Sequence, residues 1–78
     1  KLIFNSLEDI KSQIITGHRF NEIRPKYKKN LEDNGVSVEY LEMRTLHTLE
    51  ECGDIINPAA IFIACKVDGV RLIDNLEI

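Results

Sequence analysis

The 78-residue sequence predicts an α+β domain in which two helices lie on one face of a small three-stranded antiparallel sheet. Three observations carry this prediction. Apolar residues recur at helical spacing as far as residue 34, β-branched and aromatic residues dominate a run from Val36, and the last twenty-one residues have the pattern of a β-hairpin. We therefore expect the order helix, helix, strand, strand, strand within a single domain, residues 1–78.

The first predicted helix precedes Gly17. Ser6 and Asp9 have the spacing of a capping box, which marks a helix start. The apolar residues that follow share one helical stripe: Leu7, Ile10, Ile14 and Ile15. We expect this stripe to contact the core.

The second predicted helix stops at Asn34-Gly35, a favourable C-terminal signal. Its apolar side consists of Phe20, Ile23, Tyr27 and Leu31. Pro25 is compatible with the first turn of the helix or with a kink at its entry, and the sequence leaves both alternatives open.

The first strand is predicted over Val36 to Arg44. Simple alternation assigns three residues to one face, namely Val36, Val38 and Tyr40. It assigns Leu41 and Met43 to the other. Because both faces then carry apolar side chains, we expect both to be covered. Beyond the strand, Thr48 and Glu51 have the spacing of a cap for a short helical turn over 49–52.

An Asp68-Gly69 turn joins the last two predicted strands, since two-residue turns of this type need positive φ and match the twist of the strands. With Val67 opposite Val70, one face carries the pairs Cys65/Leu72, Ile63/Asp74 and Ile61/Leu76. The other face carries Lys66/Arg71, Ala64/Ile73 and Phe62/Asn75. Both faces are partly apolar, so we expect one of their covers to come from outside this chain.

Charged residues of the hairpin need partners. Asp74 falls on the more apolar face, where a carboxylate must find hydrogen-bond donors, and a structural cap is favoured over a functional contact. Lys66 and Arg71 are like charges across the strands, and an acid such as Glu39 or Glu42 beside them would relieve their repulsion. We expect a surface ion network there.

The net charge of −3 conceals an asymmetry, because residues 1–30 carry seven Lys or Arg against three acids, whereas residues 31–78 carry three against ten. The basic segment consists of Arg19, Arg24, Lys26, Lys28 and Lys29. It is compatible with an anion site, but a solvated helix face is the favoured interpretation.

Signatures of catalysis and metal binding are missing from the sequence. Cys52 and Cys65 stand thirteen apart without a C-x-x-C, and we interpret Cys65 as a small core hydrophobe and Cys52 as a half-buried loop thiol. The four glycines are isolated, as caps or turns, and no nucleophile motif exists. We expect no catalytic, cofactor-binding or metal-binding residue in this chain.

Cellular context follows from what the chain does not contain. No signal peptide or membrane span is visible, which predicts a cytoplasmic protein with reduced thiols. Lys1 stands where a methionine would begin a complete protein, which suggests a piece of a longer one.

Three stretches together resemble the C-terminal domain of the pantothenate synthetase (pantoate–β-alanine ligase) family: Val38 to Arg44, Ala60 to Ala64, and Val70 to Asn75. That family has a V-D-Y-x-E-[IV] strand and a closing [TV]-R-L-I-D-N hairpin in this order, and the resemblance covers essentially the whole chain. Two places depart from the family pattern. Residues 45–47 replace an Asp-rich turn, and Pro25 interrupts a usually smooth helix.

The resemblance implies a lid domain of a two-domain enzyme that joins pantoate to β-alanine with ATP and magnesium, through a pantoyl-adenylate. The active site of that family lies mainly on an N-terminal Rossmann-like domain. Its M-G-x-L-H-x-G-H and M-S-S-R-N signatures have no counterpart here, so no catalytic residue transfers. We expect the isolated chain to be inactive and to bind neither cofactor, and its partner to be the N-terminal domain.

Two contact hypotheses follow from the resemblance. A sheet face that includes Phe62 and Ile73 would meet the missing domain, and cations from residues 19–29 would approach the nucleotide. The competing interpretation is a non-enzymatic association module whose uncovered sheet face dimerises, which predicts self-association of this chain. A nucleic-acid module ranks last, because the chain lacks net positive charge and an aromatic stacking pair.

Overall fold

Two helices are followed by three strands, as predicted, in a computed structural model that describes residues 2–46, 50 and 59–78. The strands form one open antiparallel sheet in the order β1-β2-β3. The element bounds are α1 Leu2–Ile15, α2 Phe20–Asp33, β1 Val36–Thr45, β2 Ala59–Val67 and β3 Val70–Glu77. The predicted α+β class is confirmed. The predicted turn over 49–52 lies outside the described residues apart from Glu50, and Cys52 lies outside them as well.

The core lies between the two helices and one face of the sheet. α1 packs against α2 and β3, and α2 packs against β1. The largest fully buried side chains come from both layers: Leu7, Ile10, Leu31, Leu41, Met43, Ile61, Ile63 and Cys65. Each such side chain contributes about 1.5–3 kcal/mol through removal of apolar surface from water, so this layer supplies most of the stability.

α1 begins at Leu2, five residues before the Leu7 start that a cap at Ser6 would give. Ser6 is buried inside the helix, and the predicted capping box is therefore wrong. The apolar stripe extends toward the N-terminus through Ile3, which packs against the core and explains the earlier start. The prediction for Ile15 is also wrong, because its side chain is 60% exposed beside the buried Ile14.

α2 buries all four of its predicted apolar residues, which confirms that stripe. It begins at Phe20, so Pro25 lies in the helix interior, in neither of the two predicted positions. A proline there removes the N–H that would bond the carbonyl of Asn21. The four buried side chains hold the helix on the sheet despite this loss. None of the described helices is long and apolar enough to cross a membrane.

β1 contains one extra residue, Glu39, because the pairing with β2 shifts register between Val38 and Tyr40. One inserted residue reverses the face taken by every later side chain. The residues of β1 that pair with core positions of β2 and lie toward the helices are Val36, Val38, Leu41 and Met43. Tyr40 lies on the opposite face. Grouping Tyr40 with Val36 and Val38 was therefore wrong, since simple alternation does not count a bulge.

The β2-β3 hairpin has the predicted register, with Val67 opposite Val70. Asp68 has φ 51° and Gly69 has φ 81°, as the two-residue turn requires. The half-buried Asp74 accepts a hydrogen bond at Oδ1 from the backbone N–H of Asn75, at 2.8 Å. This contact confirms its interpretation as a structural cap.

Candidate functional site

The sheet face opposite the helices, called the open face below, has neither described helix packed on it, because both lie on the core side. Its larger side chains come from all three strands: Tyr40, Glu42, Arg44, Phe62, Ile73 and Asn75. The strand register places them in rows that cross the sheet. One row is Tyr40, Ala64 and Ile73. The face is therefore continuous from edge to edge.

A shallow depression of about 490 Å³ marks the β1 side of the open face, lined by Tyr40, Glu42, Arg44 and Phe62. On this face β2 has the half-buried Phe62 between Ala60 and Ala64. Both alanines are fully buried although no described helix covers them. The small residues of the central strand, with larger neighbours on either side, make the face concave and leave the Phe62 ring accessible.

Two arginines of the open face are paired with carboxylates. Arg44 Nη2 lies 2.7 Å from Glu42 Oε1, two residues along β1. Arg71 Nε lies 3.1 Å from Glu39 Oε2, which confirms the predicted acidic partner of Arg71. Both guanidinium groups are therefore engaged by carboxylates, and the apolar side chains Phe62 and Ile73 are the other main feature of this face.

The basic segment on α2 does not converge on one point. Arg24 Nε donates to the carbonyl oxygen of Leu41 at 2.7 Å, and so has a structural role at the edge of β1. Lys29 pairs with Asp33 at 3.4 Å. Lys26 lies over the ring of the adjacent Tyr27, with Nζ 5.6 Å from the ring centre. These contacts fit the favoured interpretation of a solvated helix face.

A hydrogen bond that the sequence analysis missed joins the two helices. Tyr27 was expected only as a core residue, but its hydroxyl donates to Asp9 Oδ2 at 2.6 Å in a part-buried contact. Burial, and then the hydrogen bond to Asp9 and its negative charge, raise the pKa of Tyr27 to about 12. The sequence did contain a signal for this contact, because a tyrosine in a buried stripe needs a hydrogen-bond partner for its hydroxyl.

Cys65 is fully buried in β2, as expected of a small core hydrophobe. Burial raises the pKa of its thiol, and the nearby Glu39 carboxylate adds to the shift. A thiol in this setting is a poor nucleophile. Among the described residues there is no group of three or more His, Cys, Asp or Glu that could hold a metal ion.

The fold and the open face define a two-layer α+β domain in which the described helices pack on one side of the sheet and neither of them packs on the other. This chain belongs to the pantoate-beta-alanine ligase family, because the sequence profile of that family matches residues 1–77.

Several relatives support the assignment. The pantothenate synthetase of Acinetobacter baumannii is 31% identical over 77 residues, which cover 99% of this chain and 27% of that protein. The pantothenate synthetase of Nitrobacter winogradskyi is 29% identical over 97% of this chain and 27% of that protein. The crystal structure of pantothenate synthetase from Thermus thermophilus superposes with a TM-score of 0.82 at 23% identity, and covers 97% of this chain and 28% of that one. The chain therefore has the same fold as a part of the Thermus thermophilus protein, and spans about 27% of the length of the other two relatives.

Proposed function

We propose that this chain is the C-terminal lid domain of a pantoate–β-alanine ligase and that its open face meets the N-terminal catalytic domain. One observation carries the proposal. The open face presents Phe62 and Ile73 without cover from a described helix, in a chain that matches the family throughout but spans about 27% of its relatives' length. An apolar surface of this kind on a partial chain is expected to face the remainder of the protein.

The reaction that we propose for the intact protein condenses pantoate with β-alanine in an ATP-dependent step through a pantoyl-adenylate, and releases AMP and pyrophosphate. An acyl adenylate reacts readily with water. A domain that closes over it therefore favours attack by the amine over hydrolysis. The role of this chain is to supply apolar cover, and the reacting groups belong to the catalytic domain in the cytoplasmic enzyme.

ATP and magnesium find no suited site among the described residues. Metal-ligating side chains do not cluster there. The guanidinium groups of Arg24, Arg44 and Arg71 are each engaged by a protein oxygen. We therefore assign no step through either cofactor to this chain, and we expect the chain alone to produce no pantothenate from pantoate, β-alanine and ATP.

The placement of α2 counts against a nucleotide-binding role for its lysines. α2 packs on the core side of the sheet, opposite the open face, so a catalytic domain on the open face would lie away from it. Charge reversal at Lys26, Lys28 and Lys29 in the intact enzyme is expected to leave the KM for ATP unchanged at low salt. A raised KM would place α2 beside the nucleotide instead.

A matched pair of isoleucines tests the lid. Ile73 on the open face and Ile15 on α1 are 61% and 60% exposed, so replacement of either by glutamate leaves the fold intact. In the full-length ligase, Ile73→Glu is expected to disturb closure and to let water compete for the adenylate. The ratio of AMP to pantothenate formed should then rise above one. Ile15→Glu should keep the ratio at one.

An unchanged ratio and an unchanged kcat in Ile73→Glu, checked by a steady-state assay of both products, would show that the open face does not take part in closure. Activity of the isolated chain would contradict the assignment of catalysis to the other domain.

A further inference from the structure

Among the described strands, none pairs with the outer edge of β3. The N–H of Ile78 donates to the carbonyl of Ala59 at 2.9 Å. Because residues along an antiparallel strand alternate between bonding their partner strand and pointing away from it, this contact shows which residues of β3 bond β2. Every second residue of β3 therefore directs its N–H and C=O away from β2, namely Arg71, Ile73, Asn75 and Glu77. Asp74 Oδ1 accepts a hydrogen bond from the N–H of Asn75, which agrees with this alternation because that N–H does not bond β2.

The two edges of the sheet differ in protection. On β1 the bulge at Glu39 interrupts the ladder, and Arg24 of α2 donates to the carbonyl of Leu41. Bulges and covering side chains are common means of blocking edge-to-edge pairing. Along the unpartnered edge of β3 the corresponding described contact is the cap by Asp74 alone. β3 is therefore the edge more open to another strand.

Three exposed apolar side chains lie on the same strand. Val70 and Ile73 are 59% and 61% exposed, and Leu72 is 42% exposed. Val70 and Leu72 lie on the helix side of the sheet and Ile73 on the open face. A long edge strand that is apolar on both faces is a template for strand pairing.

We propose that the outer edge of β3 binds a second copy of this chain, with the two β3 strands antiparallel and Asp74 on the two-fold axis. Charge complementarity selects this register. It places Arg71 of each copy opposite Glu77 of the other, so that two opposite-charge pairs form. It also sets Leu72 opposite Leu76, and lets Ile73 and Asn75 exchange backbone hydrogen bonds.

Asp74 weakens this pairing in two ways. The two Asp74 carboxylates meet at the axis, where like charges directly opposite are unfavourable. Asp74 Oδ1 also occupies the N–H of Asn75, which in the dimer donates to the carbonyl of Ile73 in the other copy. Asp74 is thus a gatekeeper that limits the affinity of an otherwise self-complementary edge.

Variants of Asp74 test the gatekeeper by sedimentation equilibrium of the full chain. Asp74→Asn removes the charge and retains a side-chain acceptor, and is expected to lower the dimer Kd about 1.5- to fivefold. Asp74→Val also frees the N–H of Asn75 and should lower it further. A Kd that does not fall in either variant, or a chain that stays monomeric at millimolar concentration in all three forms, would overturn the proposal.

The register is tested by mixing two charge variants. Arg71→Glu alone and Glu77→Arg alone each create two like-charge pairs and should weaken self-association about fourfold or more. Mixed in equal amounts, they should form a heterodimer as tight as the original. Because the same two variants are compared alone and together, any loss of the Arg71–Glu39 contact affects both arms equally. Failure of the mixture to restore association rejects this register.

The remainder of the ligase is the other candidate occupant of this edge. Hydrogen exchange of the β3 amides distinguishes the two. Protection that rises with the concentration of this chain supports self-pairing. Protection of Ile73 and Asn75 that appears only when the catalytic domain is present, at any concentration, overturns it.

Discussion

The two faces of β2 carry different kinds of residue although they belong to one strand. Toward the helices lie three large or polarisable side chains, Ile61, Ile63 and Cys65, all fully buried. Toward the open face lie Ala60, Phe62 and Ala64, and no described helix covers them. The two faces of the strand therefore differ in role: the face toward the described helices supplies core burial, and neither described helix packs on the other face.

Polar contacts follow the same division. On the helix side, the mostly buried Tyr27 donates to Asp9 in a part-buried contact, where an unpaired hydroxyl is costly. On the open face, Arg71 pairs with Glu39 at 51% and 35% side-chain exposure, where water competes with the contact. We therefore expect mutations to separate the two sides by their effect on the free energy of unfolding.

The largest expected effect is on a buried isoleucine. Ile63→Ala leaves a cavity in the core and should lower the free energy of unfolding by about 2–5 kcal/mol. Its counterpart Ile73→Ala on the open face should change it by about 0.5 kcal/mol or less. Urea denaturation followed by circular dichroism measures both. If Ile63→Ala does not fold, Ile63→Val can be measured instead, with an expected loss of about 0.5–1.5 kcal/mol in the free energy of unfolding. Equal losses at the two positions would abolish the distinction between the faces.

The next effect is a pH dependence that originates at Tyr27. Its pKa rises from 10.0 to about 12 on folding, so above pH 10 the unfolded chain loses this proton first. The stability contributed by the shift is complete below pH 10 and is lost as the pH rises toward 12, up to about 2–3 kcal/mol. Tyr27→Phe should lose less stability over the same interval. Parallel denaturation curves of both proteins at pH 9, 10 and 11 would disprove the coupling.

Arg24 is expected to have an intermediate effect, since it connects the helix layer to the edge of β1. Arg24→Met keeps much of the aliphatic stem but removes the donor to the carbonyl of Leu41. We expect a loss of about 1–2 kcal/mol, because hydrogen bonds from charged groups exceed neutral ones. Lys28→Met on the same helix provides the comparison for loss of a positive charge. Similar stabilities of the two variants would show that the Arg24 contact contributes little.

The smallest effect is expected for the exposed ion pair of the open face. Arg71→Gln removes the partner of Glu39 and should lower the free energy of unfolding by about 0.5 kcal/mol or less. Salt should reduce the difference further, because exposed charges are screened. A loss above about 1 kcal/mol that persists in roughly 1 M NaCl would place this pair with the buried contacts of the other face.

Local signals predicted much of the fold correctly. The Asp68-Gly69 turn was sufficient to set the hairpin register, because the turn type determines which residues pair across it. The stripe of α2 was correct since four apolar residues at helical spacing leave one face to bury. Part of the open face was predicted, because the hairpin register placed Phe62 and Ile73 on the face opposite the core pairs.

Other features were mispredicted for one common reason. The bulge at Glu39 and the interior position of Pro25 depend on residues distant in sequence. The pattern of apolar residues within one segment cannot predict such contacts. The placement of Tyr40 on the open face, and hence one wall of its depression, followed from that bulge. The start of α1 before Ser6 likewise depends on the contact of Ile3 with the core.

The amino-acid sequence by itself determined the order of helices and strands, the hairpin turn and its register, because these depend on backbone preferences and on residues close together in the chain. Tertiary structure decided which sheet face is covered in this domain, which edge is protected, and where Tyr27 and Arg24 find their partners. Those partners lie 18 and 17 positions away in the chain, and such contacts exist only once the layers have met.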